Sequence, residues 1–101
     1  MFIRIWQFRP HPEKLSDFLS VYGSRGDWST LFQKGSGFLG TELVQSTTDS
    51  NLYLTIDRWD SSEAWETFLK TFATEYAALD KQCESLTMDE VEVGSFLTNF
   101  Q

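Results

Sequence analysis

GFLGTELVQSTTDSNLYLTIDRWDSSEAW, residues Gly37 to Trp65, decides the fold of this chain. Residues 38–45 alternate: Phe38, Gly40, Glu42 and Val44 share one face, and Leu39, Thr41, Leu43 and Gln45 share the other, the period of a half-buried strand. Ser46, Thr47, Thr48, Asp49, Ser50 and Asn51 are all turn formers. Leu52, Leu54 and Ile56 then alternate with Tyr53, Thr55, Asp57 and Trp59, which predicts a second strand. Asp60, with Glu63 three residues on, has the spacing of a capping box, so a helix follows at once. The stretch is therefore a central hairpin that feeds a helix.

Working outward, residues 2–9 alternate as a strand, with Phe2, Arg4, Trp6 and Phe8 opposite Ile3, Ile5, Gln7 and Arg9. Pro10-His11-Pro12 ends it, and Pro12 suits a first helical turn. Leu15, Phe18, Leu19 and Tyr22 follow helical spacing until Gly23 and Gly26 interrupt. A short helix with Trp28, Leu31 and Phe32 follows, capped by Asp27, and Lys34-Gly35-Ser36-Gly37 stops it. After the hairpin, Trp65, Phe68, Leu69, Phe72, Tyr76, Leu79 and Cys83 step by threes and fours, predicting one helix over 61–84. Residues 90–97 close the chain as a strand, with Val91, Val93 and Ser95 opposite Glu92, Gly94 and Phe96. The order β-α-(short α)-β-β-α-β is the split βαβ arrangement, an α+β ferredoxin-like four-stranded antiparallel sheet with helices on one face, and residues 1–101 make a single domain. The other face keeps apolar side chains that a second copy of the chain would cover, so a homodimer is expected.

Composition narrows the function classes. The net charge is −7, and from Asp57 onward ten Asp/Glu face only Arg58, Lys70 and Lys81. Without a basic run, nucleic acid and anionic membranes are poor partners. Aromatic residues make up 16% of the chain, with four tryptophans, a load that fits a bulky core, an interface or a ligand pocket. Cys83 is the only cysteine, which rules out an internal disulfide and any Cys-based metal cage. The opening MFIRIWQF reads as a strand and not as a signal peptide, so a reducing cytoplasm is the expected location. One His and one Cys among scattered carboxylates give no metal spacing, no Gly-rich phosphate loop follows the first strand, and His11 lies in a proline turn unsuited to a triad. No cofactor is expected.

With the element order, these residues resemble the antibiotic biosynthesis monooxygenase domain family, dimeric α+β barrels of ferredoxin-like fold. The resemblance rests on Arg9-Pro10-His11-Pro12-Glu13 after the first strand, Gly37-Phe38-Leu39-Gly40-Thr41-Glu42-Leu43, Tyr53-Leu54-Thr55-Ile56-Asp57-Arg58-Trp59, the join Asp60-Ser61-Ser62-Glu63-Ala64-Trp65, Tyr76-Ala77-Ala78-Leu79-Asp80, and Val93-Gly94-Ser95-Phe96. Haem-degrading members resemble one another in an Asn on the first strand, a Trp in the last helix and a His beyond it. Those places here hold Arg4, Phe68 and Ala78, so haem degradation is not implied. The helix histidine of isomerase and quinol-oxidising relatives is also missing. The resemblance therefore implies a cofactor-independent monooxygenase acting on a phenolic or polycyclic aromatic molecule. The alternative is a non-catalytic small-molecule-binding or dimerisation module of the same fold.

Candidate site residues follow, each with a plainer reading beside it. Arg4 interrupts an apolar strand face; it is either an oxyanion clamp or a structural ion pair with Asp57 or Glu42. Asp57 is either a buried general base or an ordinary paired acid, and Tyr76 either donates a hydroxyl or simply packs. Trp6, Trp65, Phe68 and Phe72 line a pocket for an aromatic ligand or form helix-on-sheet core. Trp28 and Phe32 cover the pocket's opening or plug the edge of the core.

Overall fold

A computed structural model describes residues 1–98. Four strands, β1 (Phe2–Pro10), β2 (Phe38–Gln45), β3 (Tyr53–Trp59) and β4 (Thr87–Leu97), form one antiparallel sheet in the order β2-β3-β1-β4. Helices α1 (Leu15–Tyr22) and α2 (Asp27–Phe32) connect β1 to β2, and α3 (Ser62–Thr71) and α4 (Ala73–Cys83) connect β3 to β4. This is the α+β ferredoxin-like arrangement expected from the element order. Among the described residues, no helix is long and apolar enough to cross a membrane.

Register explains how the sheet positions a site. Cross-strand partners put four rows of side chains on the helix-covered face of β1, β3 and β2: Phe2-Trp59-Phe38, Arg4-Asp57-Thr41, Trp6-Thr55-Leu43 and Phe8-Tyr53-Gln45. The first row is dry. Trp59 is fully buried, with its ring centroid 5.3 Å from that of Phe68 and 5.7 Å from that of Phe32. The next two rows carry the short side chains of Thr41, Thr55 and Asp57, all buried beneath the helices. On the opposite face, Ile3, Ile5, Val44, Leu54 and Ile56 are half-buried and Phe96 is exposed.

Three helix readings are corrected by the structure. The helix expected over 61–84 is two helices that break at Phe72 (φ −116°, ψ 29°). Threonines flank the break, and their β-branched side chains lose rotamer freedom in a helix. The break also lets Phe72 lie on Phe68 at 5.4 Å while Tyr76 turns toward Trp28 at 5.1 Å. The helix cap is Ser61, whose Oγ accepts from the Ala64 N–H, and not Asp60. At the other helix, Gly26 occupies the capping position expected of Asp27.

Strict alternation fails at three register shifts, where Leu39, Met88 and Val93 are the extra residues. In β2 the pairing steps from Phe38 to Gly40, so Leu39 is extra and Phe38 joins Trp59 under the helices, 5.1 Å away. Gly40, at φ +145°, tolerates the bulge because it has no Cβ. In β4, which begins at Thr87 and not at residue 90, Gly94 pairs with Ile5 but Glu92 pairs with Trp6. Val93 is the extra residue, beside Gly94 at φ +150°. Val91 and Phe96 therefore share the open face, while Glu92 points to the helix side at the edge of the sheet, its side chain half exposed.

Candidate functional site

The space above the short middle rows is a cavity of about 130 Å³. Its floor is Arg4, Trp6, Phe8, Thr41, Thr55 and Asp57; Tyr22, Trp28, Phe32 and Tyr76 cover it; Asp80 and Glu90 stand at its mouth. The cavity exists because two threonines and an aspartate do not fill the volume that the neighbouring Phe2-Trp59-Phe38 row fills. Its size is close to that of the ~150 Å³ cavity known to hold one benzene.

Asp57 is 6% exposed. Its Oδ1 accepts a 2.7 Å hydrogen bond from the Thr41 hydroxyl, its cross-strand neighbour, and among the described residues no other group donates to the carboxylate. Burial pushes its pKa up to about 6, against the opposing pull of the Thr41 hydrogen bond and the Arg4 charge. The acid is therefore mostly ionised at neutral pH yet close enough to neutrality to exchange a proton.

Arg4 pairs with neither of the acids expected of it. Its Nη2 reaches Glu92 Oε2 at 3.1 Å, and its guanidinium carbon lies 4.1 Å from the centre of the Trp65 ring. Glu42 instead pairs with Arg58 at 3.0 Å. The β4 bulge accounts for the exchange, because it turns Glu92 toward the cavity side. A ring on one face and a carboxylate at one edge hold Arg4 in place. Burial raises the Tyr76 phenol, which the nearby Arg4 charge partly offsets, so the hydroxyl stays protonated and is a donor.

Of the expected pocket residues, Arg4, Trp6, Trp28, Phe32, Asp57 and Tyr76 are brought together around the cavity. Phe68 and Phe72 are not. Phe68 is buried against Trp59 and Trp65, and Phe72 stacks on Phe68, so both belong to the core beside the cavity. Trp65 backs Arg4 without lining the space. Sequence reading missed Phe8, Thr41, Thr55, Asp80 and Glu90 as lining groups and placed Tyr22 only on the helical stripe that follows Leu15. The pairing of Thr41 with Asp57 was legible in principle from hairpin register, and Asp80 from its i+4 spacing to Tyr76. Among the described residues, no three His, Cys, Asp or Glu side chains come close enough to hold a metal.

The sequence matches the family described as antibiotic biosynthesis monooxygenase over residues 1–79. No curated protein matches it. Among solved structures, a Deinococcus radiodurans protein described as a candidate antibiotic biosynthesis monooxygenase is 15% identical with a TM-score of 0.75, covering 100% of this chain and 95% of that one. Rv0793 from Mycobacterium tuberculosis is 18% identical with a TM-score of 0.70, covering 95% and 92%. SnoaB, a cofactor-independent oxygenase from Streptomyces nogalater, is 18% identical with a TM-score of 0.62, covering 99% and 94%. At these identities the likeness to solved structures is one of fold.

Proposed function

We propose, since this chain belongs to the antibiotic biosynthesis monooxygenase family, that it is a cofactor-independent monooxygenase acting on a hydroxylated aromatic small molecule. The observation that carries the reading is Asp57, a buried carboxylate raised to about 6 in an aromatic-lined cavity beside a guanidinium. That a relative of the same fold, SnoaB, is described as a cofactor-independent oxygenase supports the reaction class.

In this reading Asp57 takes the proton of a phenol, and the electron-rich anion reacts with dioxygen. A bond forms between one oxygen atom and the ring carbon para to the hydroxyl. That carbon loses its hydrogen, the O–O bond breaks, and the second oxygen leaves as water. Phenol and dioxygen thus give quinone and water with no external reductant. Arg4, steadied by Trp65 and Glu92, faces the developing oxyanion, and Tyr76 donates a hydrogen bond to it. Trp6, Trp28 and Phe32 hold the ring. A cavity of this size seats one ring and leaves the remainder of a polycyclic substrate at the mouth.

The working form in this proposal is a homodimer packed through the open sheet face, whose half-buried Ile3, Ile5, Leu54 and Ile56 favour a second copy. Its proposed location is the cytoplasm, where Cys83 stays reduced.

Oxygen uptake with a panel of anthrones and of phenols that carry hydrogen para to the hydroxyl tests the chemistry. Asp57→Asn is expected to lower kcat/KM by about 10²-fold or more, and Arg4→Ala and Tyr76→Phe should each lower it through loss of oxyanion stabilisation. One observation favours the alternative of a binding module: Glu92 already engages Arg4. Saturable tryptophan quenching by the same compounds with no oxygen consumed would decide for the binder.

A further inference from the structure

We infer that the cavity selects an aromatic ligand carrying a cationic nitrogen, seating the ring beside Asp57 and the ammonium at the mouth between Asp80 and Glu90. The inference deepens the proposed function and rests on its assignment of this cavity as the ligand site.

Charge supplies the first argument. Asp57, Asp80 and Glu90 line the cavity, and the only basic lining group, Arg4, is engaged by Glu92. Among the described residues no Lys or Arg pairs with Asp57, Asp80 or Glu90. The Glu90 carboxyl is raised by its partial burial and by the charges of Asp80, Asp89 and Glu84. A cation at the mouth would relieve that repulsion, and an anionic ligand would add to it.

Ring geometry supplies the second argument. Behind the two acids stand Tyr22, Trp28 and Tyr76, with Trp28 5.1 Å from Tyr76 edge to face and 6.3 Å from Tyr22. Asp80 lies four residues beyond Tyr76 on α4 and so projects over the same helix face. Aromatic walls with an acidic rim are the setting in which alkylammonium groups bind, through ring quadrupoles and full charges together.

The third argument is the far end of the cavity. Asp57 is 6% exposed, and one of its oxygens lacks a protein donor, so this end also calls for a ligand group, here a hydroxyl. In the sheet register Asp57 lies opposite Arg4, whereas Glu90 lies opposite Phe8, four residues further along β1. At the rise of a strand, with β3 and β4 on opposite sides of β1, this places the two acids about 13 Å apart along the strands and about 10 Å apart across them. Side chains reaching inward from both ends leave room for a hydroxylated ring with a short aminoalkyl arm.

Titration calorimetry with tyramine, 4-ethylphenol and 3-(4-hydroxyphenyl)propionate tests the inference, because the three share a ring and differ in charge. Tyramine should bind at least about fivefold more tightly than 4-ethylphenol, and the propionate should bind most weakly. In the Asp80→Asn/Glu90→Gln double variant, with its fold checked by circular dichroism, tyramine should lose its advantage. Equal affinities, a preference for the anion, an advantage that survives in the double variant, or no saturable binding up to about 10 mM would each overturn it. Oxygen uptake with anthrone, whose enol carries hydrogen on the carbon para to its hydroxyl as the three probes do not, separates the two proposals. Amine preference without uptake sinks the oxygenase reading alone, and uptake without amine preference sinks this one alone.

Discussion

Replacing Asp57 by Asn should make the protein more stable and less active at the same time. Burial moves the Asp57 pKa from 3.8 to about 6. At about 1.4 kcal/mol for each tenfold change in proton affinity, keeping the carboxylate ionised inside the fold costs about 3 kcal/mol at neutral pH. The sign follows from linkage. Below the unfolded value both states hold the proton and the cost is absent. Between 3.8 and about 6 the folded state holds the proton more tightly, so stability falls as pH rises; above that range the loss is complete and constant. Asn is neutral at every pH, and its side-chain oxygen can still accept from Thr41. The variant should therefore gain up to about 3 kcal/mol at pH 7, a rise in Tm of up to roughly 14 °C for a chain of this size. The gain should vanish near pH 4. Glu90, whose pKa is also raised, titrates in an overlapping window, whereas Asp49, lowered by its hydrogen bond from Arg9, acts below it. The measurement is therefore the difference between wild type and variant in urea denaturation at a series of pH values. If that difference is flat with pH, or if the variant is no more stable at pH 7, Asp57 does not carry the buried charge on which the proposed chemistry depends.

The remaining expectations concern fold and assembly. Gly37→Ala should cost more than about 1 kcal/mol by chemical denaturation, since Gly37 sits at φ +95° and an added Cβ would lie 2.8 Å from that of Ala64. Ser61→Ala should cost about 1 kcal/mol because it removes the α3 cap, whereas Asp60→Ala should cost far less; equal losses in thermal melts would restore Asp60 as the cap. Ile56→Glu, on the open sheet face between Ile5 and Glu42, should convert the proposed dimer to monomer by light scattering while leaving the circular dichroism unchanged. A monomeric wild type at micromolar concentration would remove the dimer from the account.

Architecture was legible because both periodicities were strong. Alternation in Tyr53–Trp59 and Phe2–Pro10 survives in the structure without a slip, and the aromatic stripe from Trp65 marks a helix facing the sheet. What alternation cannot show is an extra residue. The bulges at Leu39 and Val93 each reverse the facing of the residues beyond them, and a bulge depends on the partner strand as much as on its own sequence. That reversal hid Glu92 as the partner of Arg4, 88 positions away. The helix stripe failed differently. Trp65, Phe68, Phe72 and Tyr76 share one periodic face, yet the break at Phe72 gives the first three to the core and only Tyr76 to the cavity. Spacing along a helix says which side is buried and not what it is buried against.

The same residues explain why a cavity persists in a chain this rich in rings. Side chains of similar size on facing layers would close the space, as they do where Trp59 meets Phe32 and Phe68. One and two rows further along the sheet, the floor under α2 and α4 changes to Asp57 with Thr41 and then Thr55 with Leu43, while Trp28, Phe32 and Tyr76 above stay large. Large rings propped on the dry row and on the Phe8-Tyr53 row cannot drop onto short polar residues between them. Leucine at the position of Thr55 would fill the gap and add buried apolar area, and asparagine in place of Asp57 would remove the charge penalty. A sequence shaped only for stability would hold both. Each departure lowers stability in the same small cavity, where Arg4, Asp57 and Tyr76 meet, and that coincidence sets the cavity apart from an ordinary packing defect.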